Sequence, residues 1–175
     1  MPEDGRVAVN PDPWRRSMKD AMIHSDDTSI LALNRLIVTG RDAESGFRAA
    51  ATDTRDPVHA RLYGEYAAQR ARFVADLESR VKDLRAEPAK TGSIAAALHR
   101  QWMDLEAGTS DHVSQTILHE VERGEALAVT AYREALQLSG LDEISRAMVQ
   151  VQYEQVQAAH DRVKQLRDRG TLAGR

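Results

Sequence analysis

The hydrophobic and polar positions along the chain alternate with the period of long amphipathic helices. The clearest runs from Asp111 to Leu138, DHVSQTILHEVERGEALAVTAYREALQL. There Leu118, Glu122, Glu125, Val129, Tyr132 and Leu136 recur at the spacing of a face turned towards a core. Two carboxylates three residues apart stand inside that stripe. An ionised carboxylate is expensive to bury alone, so the pattern requires water or a cation at their level.

Three further helices are expected. The first spans about 28–52, capped by Asp27 or Thr28, with Leu33, Leu36, Ile37, Gly40, Glu44 and Phe47 on one face. Gly40 in mid-helix costs about 1 kcal/mol against alanine, which points to a close neighbour, and Gly46 and Gly64 pose the same question. Asp56-Pro57 is a start signal for the second helix. It reaches about Arg85, with Val58, Leu62, Tyr66, Gln69, Phe73, Leu77, Val81 and Leu84 inward. Pro88 and Gly92 break the chain. Ser93 then caps a short helix over 93–107, with Ile94, Leu98, Trp102 and Leu105 on one face, stopped by Gly108. The long third helix, capped by Ser110 or Asp111, ends at Ser139-Gly140. The fourth runs from about Asp142 to Arg169, with Ile144, Met148, Val151, Val156, Ala159, Val163 and Leu166 inward.

No stretch alternates like a strand. Two short connections and one long one predict an all-α, antiparallel four-helix bundle, with a crossover helix between the second and third long helices. That is ferritin-like connectivity. The bundle is expected over 28–169. Residues 1–27, which hold Pro2, Pro11 and Pro13, read as a partly flexible arm in which Trp14–Ile23 forms a short helix; 170–175 read as a tail.

Composition narrows the function classes. At 175 residues the chain suits one domain. A net charge of −3 without a basic cluster excludes nucleic acid. No apolar run approaches the roughly 20 residues that span a membrane. MPEDGRVAVN has early acid and no apolar core, so no secretory leader is expected. The absence of cysteine removes disulfides and thiolate chemistry and fits a cytoplasmic protein.

The blocks LNRLIVTGRDAESGFRAAATD, EYAAQRARFVADL, SIAAALHRQWMDL, HEVERGEALAVTAYREAL and QAAHDRVKQL resemble, in order and over roughly Leu31 to Arg167, an uncharacterised bacterial ferritin-like family. The resemblance implies the four-helix fold and a link to stress responses. It implies no activity, since none is established for the family. Di-metal members of the wider ferritin-like class carry a Glu on each of two helices and Glu-x-x-His on the other two. Here the third helix has Glu122 and Glu125. The first has Glu44, or Gly40 at the ligand level. The fourth has Gln157-Ala-Ala-His160, with Gln in place of Glu. The second has Ala67-Ala-Gln-Arg70, with Ala for Glu and Arg for His, and Glu65 on a neighbouring face.

The candidate metal ligands, for iron or manganese, are therefore Glu44, Glu122, Glu125 and His160. A di-metal centre wants about four carboxylates, and an arginine beside them repels metal. The reading adopted is that Arg70 is the counter-ion of Glu122 or Glu125, in a polar centre with Gln69, Tyr66, Tyr132 and Gln157. HEVER lacks the second histidine of a zinc helix, and no phosphate loop or nucleophile elbow is present. No catalytic residue and no cofactor is expected.

Three functions follow in order. The first is a non-catalytic ferritin-like bundle with a degenerate metal site, stress-associated and acting by assembly or partner binding. The second is a di-metal binding or oxidative protein. The third is a small-molecule binder within the bundle. Trp102, Met103 and the Trp14 arm offer apolar surface, so a homodimer or another protein partner is expected.

Overall fold

The computed structural model describes the backbone of residues 13–90 and 110–173, and the side chains of 25–90 and 115–169. Four helices fill these residues: α1 (Pro13–Asp53), α2 (Pro57–Asp83), α3 (Ser110–Gln137) and α4 (Glu143–Ala173). Among the described residues there is no strand. The expected crossover helix over 93–107, with Trp102 and Met103, lies outside them. So do the side chains of Trp14, Ser110 and Asp111.

Local chemistry sets the boundaries. Asp56 caps α2 as expected: its Oδ1 accepts from the Val58 N–H at 2.8 Å and the His59 N–H at 3.4 Å, and Pro57 opens the first turn. At the other end Arg85 turns left-handed, with φ 59°. The Ala86 N–H then reaches Val81 O at 3.1 Å and the Arg85 N–H reaches Lys82 O at 2.8 Å, the paired bonds that close a helix C-terminus. Asn34 Oδ1 and the Arg41 guanidinium hold the backbone of Ala89 against α1. Asp142 caps α4 through the Ser145 N–H at 2.9 Å. Arg146, one turn into α4, donates back to the carbonyls of Leu136 and Leu138 that end α3.

The first helix departs from expectation. It begins at Pro13 and passes through Asp27 and Thr28 without a cap. The serine hydroxyls on either side of those two residues serve the α3–α4 turn. Ser25 Oγ donates to Gly140 O at 3.0 Å, and Ser29 Oγ accepts from the Asp142 N–H at 2.9 Å. A Cβ on Gly140 would lie 2.9 Å from Thr28 Oγ1, so the turn packs directly on α1.

Helix α1 packs against α2 and α3, α3 packs against α4, and α2 touches α4 only lightly. Helices α2 and α3 thus face each other across the diagonal. Gly40 permits the α1–α2 contact: a Cβ there would stand 2.7 Å from Val74 Cγ2. One core cluster joins Leu33, Leu36, Ile37, Leu77, Val129, Tyr132, Val149 and Val156; a second joins Phe47, Ala50, Tyr63, Ile117, Leu118 and Val163. Each of the larger side chains contributes about 1.5–3 kcal/mol by leaving water.

Two inward faces differ from the expected ones. Val58, Ile144 and Val151 are exposed, by 72%, 64% and 57%. Their places are taken by Tyr63, Ala67 and Arg70 on α2, and by Ser145, Val149 and Gln152 on α4. The buried row of α4 is 145, 149, 152, 156, 159 and 163, a seven-residue repeat. It carries a serine and a glutamine, so the stronger apolar signal of Ile144 and Val151 lies one residue off the true face.

Candidate functional site

At mid-height the core changes character. Arg70 on α2 and Glu125 on α3 are each 1% exposed, and the guanidinium Nη2 donates to Glu125 Oε2 across the diagonal. Phe47 and Phe73, the two phenylalanines of the chain, hold the guanidinium between them, each ring centroid 5.6 Å from Cζ. Nη1 donates to Gln69 Oε1. Glu125 Oε1 and Arg70 Nε have no hydrogen-bond partner among the described residues. Burial pushes the Glu125 carboxyl up, opposed by the charge and hydrogen bond of Arg70 and, further off, by His160.

A second polar chain lies beside this pair. The Tyr132 hydroxyl donates to Gln152 Oε1 at 2.8 Å, and Gln152 Nε2 donates to Phe73 O at 3.3 Å. Burial holds the Tyr132 phenol well above its ordinary range. Tyr66 is half-buried, its ring 5.3 Å from that of Phe47. Burial and then the Glu125 charge push its phenol up, against Arg162 and Arg70.

The sequence placed five residues in this centre. Arg70, Gln69 and Tyr132 belong to it and Tyr66 borders it. Gln157 does not: it bonds Asp161 Oδ1 at 3.0 Å on the rim and accepts from Tyr153 at 3.4 Å. The buried glutamine is Gln152, which the sequence reading missed because its face was read one residue out of register.

The candidate metal ligands are dispersed among arginines. Glu44 pairs with Arg48 at 2.7 Å, one turn along α1. Glu122 turns away from Arg70 and pairs with Arg167 Nη1 on α4 at 2.6 Å. Glu125 takes Arg70. His160 Nε2 stands 3.9 Å from Glu122 Oε1, while its Nδ1 faces Asp161 at 3.2 Å. Each carboxylate of the set already has a guanidinium. Among the described residues no three His, Cys, Asp or Glu side chains are grouped to hold a metal ion. This donor set does not fit a di-metal centre.

A groove of about 460 Å³ opens between α1 and α3 and reaches down to Phe47 and Glu125. Its sides are Val38, Ala43, Leu127 and Ala131, with Asp42 and Glu120 among its polar lining. Gly46 and Gly124 face it from opposite helices, and a Cβ on either would meet nothing within 4 Å. Nothing in the sequence pattern points to it beyond the unexplained Gly46.

The profile of the family described as a domain of unknown function (DUF2383) matches residues 28–138. No curated protein matches the chain. Over most of its length, from the first helix to the end of the third, the chain belongs to this uncharacterised family.

Proposed function

We propose that this is a non-catalytic helical bundle of ferritin-like, antiparallel arrangement, in which an arginine–glutamate pair takes the central place that metal takes in the di-metal members of that class. It works in the cytoplasm by assembly or partner binding, with the stress association that the sequence resemblance implies. One observation supports the reading: Glu125, a carboxylate that the resemblance offers as a metal ligand, is buried and already paired with Arg70. A fixed guanidinium supplies the positive charge that the carboxylate needs, and it repels a divalent ion. Exposed Leu31 and Leu127, on α1 and α3, are apolar surface of the kind that partners cover.

Metal analysis tests this. Protein purified without added metal, then titrated with ferrous or manganous ion, is expected to retain far less than one ion per chain. Stoichiometric binding of two ions per chain, as di-metal members of the class show, overturns the reading.

A second reading, a small-molecule binder within the bundle, is favoured by the groove between α1 and α3. A concave space of that volume with apolar sides and a few polar groups is the usual form of a ligand site.

A further inference from the structure

We propose that the α1–α3 groove binds a protonated amine carrying an apolar body, with the ammonium facing the carboxylates of Asp42 and Glu125 and the body lying along Val38, Phe47 and Leu127. The inference rests on the small-molecule reading and names the chemistry of the ligand.

Space comes first. Helices α1 and α3 are in contact, yet Gly46 and Gly124 withdraw side chains from both sides of the same groove. Glycine is a poor helix former. Two of them at one level in two helices, each with open space where Cβ would be, leave an apolar-walled cavity rather than a closer helix contact. Gly40, which does mediate a close contact, shows the other use of the residue in the same helix.

Charge selects the ligand. Among the described residues, four ionisable groups line the groove: Arg35, Asp42, Glu120 and Glu125. Arg35 is taken by Glu134 at 2.7 Å, and Glu120 by Arg123 in the next turn. Glu125 gives one oxygen to Arg70 and keeps Oε1 unpartnered while 1% exposed. Asp42 is half-buried and has no hydrogen bond or ion pair among the described residues, and burial pushes its carboxyl up. The uncompensated charge in the groove is therefore negative, and Glu125, which lines it, has one oxygen without a donor among the described residues. A partly buried carboxylate without a partner is costly, and a cation relieves that cost. An anion would meet three carboxylates, and a neutral apolar molecule would leave Asp42 as it is. An ammonium answers the charge, and its three N–H groups can reach more than one oxygen.

Isothermal titration of the full chain near neutral pH, with n-octylamine, n-octanol and octanoate below their aggregation limits, tests this. Octylamine is expected to bind one per chain, octanol about tenfold or more weaker, and octanoate not at all. Asp42→Asn should remove the advantage of the amine and leave octanol unchanged. Gly124→Leu, which fills the groove from a position open to a side chain, should abolish binding of both while circular dichroism shows the helices intact. If octanol binds as tightly as octylamine and Gly124→Leu blocks both, the amine assignment is overturned and the small-molecule reading stands. If no probe binds, both are overturned. Amine binding indifferent to Asp42→Asn and Gly124→Leu overturns this location. The metal titration above is unaffected by any of these results.

Discussion

The guanidinium of Arg70 and the carboxylate of Glu125 meet across the diagonal of the bundle, between helices that otherwise scarcely touch. Removing one charge strands the other. Arg70→Met should lower unfolding stability by about 3–5 kcal/mol, because Glu125 is left buried and unpaired. Replacing both, as Arg70→Met with Glu125→Leu, should recover much of that loss, since apolar residues can substitute for a buried pair. Urea denaturation of the parent, both single variants and the double variant measures the coupling. An Arg70→Met protein as stable as the parent would contradict the argument.

Two buried tyrosines should respond differently to loss of a hydroxyl. Tyr63 is fully buried and its hydroxyl has no partner among the described residues. Tyr63→Phe should be neutral or stabilising, by up to about 1 kcal/mol, since it removes an unsatisfied polar group. Tyr132→Phe removes the donor that Gln152 Oε1 has among the described residues, inside the core. It should destabilise by about 1–3 kcal/mol. Equal effects from the two substitutions in thermal unfolding would show that hydrogen bonding does not distinguish them.

What could be read from the sequence was mainly local. Asp56-Pro57 and Ser139-Gly140 mark helix ends because capping and turn chemistry act over three or four residues. The stripe of α3 was legible because its buried positions are mostly large and apolar. The face of α4 was legible only in its second half, at Val156, Ala159 and Val163; in the first half Ser145 and Gln152 are buried where Ile144 and Val151 carry the stronger hydrophobic signal. The resemblance to the Glu-x-x-His pattern pointed to Arg70 and charge balance paired it with the acids, but periodicity could not tell Glu122 from Glu125. The two point at different helices, and Arg167 takes Glu122 from α4. The groove depends on how closely α1 and α3 approach, which neither helix encodes alone.

Gly40 and Gly64 should separate close packing from simple helix propensity. Gly64 is exposed, and a Cβ there meets nothing within 4 Å. Gly64→Ala should stabilise by up to about 1 kcal/mol. Gly40→Ala gains the same propensity but drives its methyl to 2.7 Å from Val74 Cγ2. Overpacking of this kind costs about 1–3 kcal/mol, so the net effect should be destabilising. Adding Val74→Ala to Gly40→Ala should relieve part of the penalty, and denaturant midpoints for the three variants report it.

Acid should loosen the junction between α2 and α4. Burial pushes the Asp142 carboxyl up, but bonds from the Ser145 hydroxyl and N–H, from Ser29 and from Arg80 outweigh it and hold the group down at about 2, from an ordinary 3.8. The folded value lies below the unfolded one. Its contribution is therefore fully present above pH 3.8 and is lost as pH falls through about 2. Asp142→Asn should lower stability near neutrality and flatten the fall between those limits. Urea midpoints across the acid range, for parent and variant, check the sign.

Arg85 should be replaceable with benefit. It occupies the left-handed position that closes α2, with φ 59°, where a Cβ is disfavoured and glycine is the usual occupant. Its backbone is well used, since the Arg85 and Ala86 N–H groups both return to the last turn of the helix. Its side chain is exposed, and no ion pair or hydrogen bond of its guanidinium is found among the described residues. Arg85→Gly keeps both backbone bonds and removes the steric strain of about 1–2 kcal/mol for an L-residue there. Part of that gain is offset by the greater freedom of glycine in the unfolded chain. The net expectation is stabilisation by about 0.5–1 kcal/mol. Arg85→Ala keeps a Cβ in the same backbone conformation and so controls for loss of the charge; it should show none of the gain. A thermal midpoint raised by Arg85→Gly alone supports the strain argument, and equal midpoints for the two variants refute it.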